Sequence, residues 1–75
     1  MLLYYYLDSR PNEYGVLEVH DQRCKHLPNF SHRILLGMFS SSQEAILMAK
    51  KHFVSVNGCP YCCIENYRKM VKYEA

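Results

Sequence analysis

Two short pairs of metal-seeking side chains, His20-x3-Cys24 and Cys59-x2-Cys62, constrain this chain more than any other feature. Zinc prefers four tetrahedral ligands drawn from thiolate and imidazole. A Cys-x2-Cys knuckle lets two sulfurs of one tight turn converge on one ion, and Gly58 and Pro60 suit that turn. His20 and Cys24 bracket a second short loop. The chain has 75 residues, close to the roughly 70–80 residues below which a hydrophobic core alone rarely suffices. A staple is expected: a disulfide, a metal or a partner subunit. The spacing predicts zinc held by His20, Cys24, Cys59 and Cys62.

Other uses of the cysteines stand beside this one. Four cysteines allow three disulfide pairings, but the apolar start Met1–Leu7 has no basic segment before it and stops at Asp8. It does not read as a secretory signal, so a cytoplasmic protein with reduced thiols is expected. A redox Cys-x2-Cys normally follows a strand in a larger βαβ context, which this element order does not supply. Buried free thiols with no ligand role are the third possibility. A Cys-His nucleophile built on Cys59 or Cys63 is the fourth. Adjacent residues rarely point at one ion, so Cys63 is expected to pack while Cys62 ligates. His26 is the other nearby imidazole, but His20 leaves a cleaner loop. His32 and His52 read as surface or half-buried polar groups.

The fold class read from the pattern is α+β, one small domain over residues 1–75. Residues 2–7, 16–20 and 33–39 read as three strands of an antiparallel sheet. The Pro, Asn and Gly of residues 9–15 form a hairpin loop between the first two. On the second strand Leu17 and Val19 share one face, with Val16, Glu18 and His20 on the other. The third strand is expected to be buried in part on both faces, with Gly37 marking a bulge or a close backbone approach. Ser41-Ser42-Gln43-Glu44 fits a capping box. It opens a helix from about 41 to 54 whose Ala45, Ile46, Ala49 and Phe53 repeat at helical spacing. Asn57-Gly58 reads as a turn. Ile64, Tyr67 and Val71 then predict a short C-terminal helix, supported by Glu65 and Lys69 four apart.

Several of these residues together resemble a family of small uncharacterised bacterial proteins. The run is Val19-His20-x3-Cys24-x2-Leu27-Pro28, then Leu36-Gly37-x-Phe39, then Ala45-x3-Ala49-Lys50, then Gly58-Cys59-x2-Cys62. The resemblance covers about Tyr5 to Cys63 and implies no assigned activity. Members often carry a further Cys-His pair after the knuckle, where this chain has Asn66 and Tyr67. More loosely, the chain resembles the metal-binding domain of the Ada methylphosphotriester-repair protein. That domain also holds zinc with an early pair, a strand, a helix and a late Cys-x2-Cys. Its first ligand is a cysteine that accepts a methyl group from DNA. His20 stands at the matching position here, so the resemblance implies the zinc site without the repair chemistry.

Little else in the sequence points to catalysis. No carboxylate pair marks a cleft, and three glycines are too scattered for a phosphate loop. No segment approaches the roughly 18 consecutive apolar residues of a membrane span. Lys50 and Lys51 on the first helix, with Arg68, Lys69 and Lys72 beyond it, suggest nucleic acid, and seven tyrosines supply stacking surfaces. A formal net charge of +2 falls short of a basic nucleic-acid domain. The sequence therefore predicts a non-catalytic, zinc-stabilised interaction module whose partner is a protein or a second copy. A nucleic-acid-binding zinc domain is the alternative. Arg23 and Lys25 are expected to offset the charge of three thiolates without ligating.

Overall fold

In the computed structural model, residues 1–69 are described. Strands β1 (Leu3–Asp8) and β2 (Leu17–Asp21) form the expected hairpin, paired antiparallel with Leu7 opposite Val19 and Tyr6 opposite His20. The Asn12 side chain holds the loop by accepting the N–H groups of Tyr14 and Val16, and Gly15 takes φ +76°. Strand β3 (Arg33–Phe39) pairs antiparallel with the other side of β1. Its register shifts between Tyr5 and Tyr6, so that Leu36 is left over as a bulge beside Gly37. Gly37 has φ +130°, a backbone that side-chain-bearing residues rarely adopt, which bears out its expected role.

Helix α1 (Ser42–Lys50) starts at the predicted box: the Ser41 hydroxyl accepts the Glu44 N–H. It buries Ala45, Ile46 and Ala49 against the sheet. The core joins these to Leu3, Tyr5, Leu7 and Val19, with Phe39 and Phe53 packed at its margin. Alternation along β1 is strict, with Leu3, Tyr5 and Leu7 inward and Tyr4, Tyr6 and Asp8 outward. No helix among the described residues is long and apolar enough to cross a membrane.

Four features differ from the sequence reading. The sheet has four strands, in the order β3-β1-β2-β4, and is mixed. The added strand β4 (Val56–Gly58) runs parallel to β2, so Asn57-Gly58 is strand and not turn. Helix α1 ends at Lys50 instead of about residue 54. There the amides of Lys51 and His52 fall back on carbonyls three residues earlier, tightening the last turn and releasing the chain toward β4. β3 is an edge strand with no fully buried residue: Leu35 and Met38 are 56% and 47% exposed. Finally, Ile64–Asn66 make one 3₁₀ turn and Tyr67 is extended, so the helix predicted after Cys63 does not form there. Its remaining predicted position, Val71, lies outside the described residues. The cause is Asn57, whose buried side chain accepts the Arg68 N–H at 3.0 Å and donates to the Arg68 carbonyl at 2.7 Å. Both backbone groups of Arg68 are thereby committed outside any helix.

Gly37→Ala is expected to lower stability by about 1–3 kcal/mol, because the substitution keeps a backbone suited to glycine and its Cβ meets the Phe39 ring at 3.4 Å. Urea unfolding checks this; an unchanged midpoint would mean that the bulge relaxes without strain.

Candidate metal centre

The parallel pairing of β2 with β4 sets the site. Leu17, Glu18 and Val19 lie beside Val56, Asn57 and Gly58, so the next residues of both strands, His20 and Cys59, leave the sheet at the same end. The Cys59 N–H continues the ladder to the Val19 carbonyl at 2.9 Å. Gly58 leaves room for this approach: a Cβ there would stand a tight 3.0 Å from the Cys63 Cβ and 3.3 Å from Ile46.

Each loop then folds back on itself. After β2, the Asp21 carboxylate accepts the Arg23 N–H at 2.7 Å and the Asp21 carbonyl accepts the Cys24 N–H at 3.1 Å. This turn aims Cys24 back at His20. After β4, the Cys63 N–H closes onto the Cys59 carbonyl at 3.0 Å, which wraps Cys59 and Cys62 into one knuckle. The loops also touch through a ring stack of His26 on Tyr61, with centroids 4.1 Å apart and planes at 29°.

His20, Cys24, Cys59 and Cys62 converge: one ligand atom from each lies within 4.8 Å of all the others. His20 Nδ1 is 3.5 Å from Cys24 Sγ, and Cys24 Sγ is 3.8 Å from Cys59 Sγ. Sulfurs ~2.3 Å from a zinc at tetrahedral angles stand ~3.8 Å apart, and a sulfur and an imidazole nitrogen ~3.5 Å apart. These four side chains can hold a metal ion. Of the other polar residues considered, His26 is occupied by its stack on Tyr61. All four cysteines are free.

The surroundings sort the two adjacent thiols. Cys62 Sγ accepts the Asp21 N–H at 3.4 Å, Cys24 Sγ the His26 N–H at 3.4 Å, and Cys59 Sγ the Tyr61 N–H at 3.4 Å. An N–H directed at sulfur favours the thiolate, the form a metal needs. Cys63 instead donates its S–H to the Val19 carbonyl at 3.3 Å. It is buried in the core, which is the packing role expected of it.

Without metal the cluster is neutral. Burial pushes the Cys59 thiol up to about 12, and it also raises Cys24. The neighbouring Cys63 thiol, followed by burial, raises Cys62. Burial lowers His20, outweighing the opposing pull of Glu18, so its ring is an uncharged donor of a nitrogen lone pair. Glu18 stands 4.0 Å from His20 Nε2 on the far side from the sulfurs. Asn12 donates to the other Glu18 oxygen at 3.0 Å. A carboxylate behind a ligand imidazole orients the ring and fixes its tautomer. Glu18 and Asp21 are the supporting residues that sequence reasoning passed over. Only the alternation that puts Glu18 on the His20 face hinted at the first. Arg23 and Lys25 border a cavity of about 260 Å³ whose wall includes Cys24 and Cys62.

Comparison with protein families, curated proteins and solved structures finds no match. The case for the site therefore rests on its geometry.

Cys62→Ser is expected to abolish metal retention and to unfold or loosen the domain. Cys63→Ser should retain the metal and cost about 1–3 kcal/mol of packing. Metal content and thermal midpoint of the two variants decide the assignment; equal metal loss in both would overturn it.

Proposed function

We propose that this chain is a non-catalytic interaction module in which His20, Cys24, Cys59 and Cys62 hold one structural zinc. What carries the reading is the match of the 3.5 Å and 3.8 Å ligand-atom spacings to a tetrahedral N/S₃ site. The donor set supports zinc over hard cations, which take oxygen ligands. Four protein ligands fill a tetrahedral ion and leave no position for a water to be activated. The zinc then ties the loop after β2 to the loop after β4. The exposed outer side of the β1–β3 pair, with Tyr4, Leu35 and Met38, is left as the apolar surface for a protein partner or a second copy.

A nucleic-acid-binding zinc domain is the second reading. Lys50, Arg68 and Lys69, exposed and lining one cavity, favour it. Phosphate contacts release counterions, so strand binding should weaken steeply with salt. Fluorescence anisotropy with a labelled single-stranded oligonucleotide at two salt concentrations tests this; binding that is absent at low salt removes the reading.

One zinc per chain is expected in protein purified under reducing conditions. At pH 7.5 the three thiols are protonated and the imidazole is neutral, so uptake of zinc should release about three protons. Affinity should accordingly fall as pH falls. Calorimetry in buffers of different ionisation enthalpy measures the proton count; a value near one would show that fewer thiols ligate. Chelation should melt the fold, read by circular dichroism. Secondary structure and midpoint unchanged after verified zinc removal would refute the structural role.

A further inference from the structure

The end of the molecule bordered by α1 and β4 carries a second feature, independent of the zinc reading. A cavity of about 320 Å³ opens between the last turn of α1, β4 and the segment after the 3₁₀ turn. Its described walls include Lys50, Arg68 and Lys69, and no acidic side chain. None of these three cations forms an ion pair among the described residues. A smaller cavity of about 150 Å³ continues it along α1, sharing Lys50, Asn66 and Arg68 and adding Gln43.

Two anchors hold the segment that carries Asn66 and Arg68. Asn57, 7% exposed, binds both backbone groups of Arg68, which sets where that guanidinium starts. The Ser42 hydroxyl donates to the Asn66 side chain, which pins the 3₁₀ turn to the start of α1. Three like charges around one hollow repel each other, and an anion placed among them relieves that repulsion. Guanidinium and ammonium groups are the usual partners of phosphate oxygens. Ile46 and Val56 add an apolar wall.

We infer that this cavity binds the phosphate group of a small phosphorylated molecule. Its volume lies within the roughly 300–1,000 Å³ of small-ligand sites. The cations surround a hollow, whereas a nucleic-acid strand is tracked by a stripe of charge along a groove. The low net charge of +2 also favours a small ligand over a strand.

The test is NMR titration of the zinc-loaded full chain with inorganic phosphate, pyrophosphate and phenyl phosphate, and separately with a single-stranded 12-mer. Saturable shifts of the Asn66, Arg68 and Lys50 amides are expected, stronger with pyrophosphate than with phosphate. Phenyl phosphate binding more tightly than phosphate would assign the site to an organic ester, and equal binding to the free ion. Arg68→Gln should weaken binding about tenfold or more, and Lys50→Gln in the same direction. Both side chains are exposed, so an unchanged thermal midpoint will confirm that the fold survives. Shifts that do not saturate, or binding unaffected by both substitutions, would overturn the proposal. So would binding confined to the 12-mer, which would mark the surface as a strand interface.

Discussion

The parallel pairing of β2 with β4 is the interaction on which the rest depends. Three ladder positions put Gly58 beside Val19, so the chain leaves both strands in the same direction. An antiparallel pair would send the knuckle to the opposite end of the sheet from His20, and the four ligand atoms could not meet. A parallel pair cannot be closed by a tight turn and needs a long crossover. Here β3 and α1 lie within that crossover. The apolar stripe of α1 packs across the sheet, and its early end at Lys50 lets residues 51–55 bring the chain back beside Leu17, whose N–H reaches the Ser55 carbonyl at 2.9 Å. Sheet order, helix length and site geometry are thus consequences of one register.

Elements whose causes are local were legible in the sequence. The capping box placed Ser41, alternation placed Leu17 and Val19 on one face, and Gly37 announced the bulge. The convergence of His20, Cys24, Cys59 and Cys62 was legible too, because a knuckle and a His-x3-Cys pair each demand short-range geometry. What the sequence hid is long-range. β4 has three residues, too few for any periodicity, and Asn57-Gly58 carries a turn-forming composition. Its strand conformation comes from β2 alongside it. Ile64 and Tyr67 have helical spacing, but the Asn57 side chain competes for the Arg68 backbone and wins by offering two hydrogen bonds to a segment too short to nucleate a helix cheaply. β3 reads as apolar on both faces. Its place at the sheet edge, which depends on the order of all four strands, leaves Leu35 and Met38 exposed.

The adjacent pair Cys62 and Cys63 shows how the core and the site are joined. The two sulfurs stay 3.6 Å apart, yet Cys62 joins the ligand cluster while Cys63 packs in the core. The Cys63 S–H bond to the Val19 carbonyl and the tight seat of Gly58 against Cys63 lock the knuckle to β2 before any metal arrives. The three backbone N–H groups aimed at Cys24, Cys59 and Cys62 sulfur come from the same turns. These backbone N–H groups favour the thiolate at each of the three sulfurs against the burial that opposes it. This suits a buried position, where a fixed dipole costs less desolvation than a lysine would.

A site of this kind constrains where function can reside. Among the described residues the largest fully buried side chains are Leu7, Val19, Cys59 and Cys63, and two of these four are cysteines of the knuckle. The core and the metal cluster are consequently one body, and a change in either is felt by the other. Chemistry at the cluster that cycled ligands on and off would loosen the core with each turnover. A domain this small has little stability to spare for that. The surfaces remote from the cluster carry no such penalty. On the proposed reading, the outer side of the β1–β3 pair and the cationic cavity beside α1 are where partners exchange while the staple stays closed.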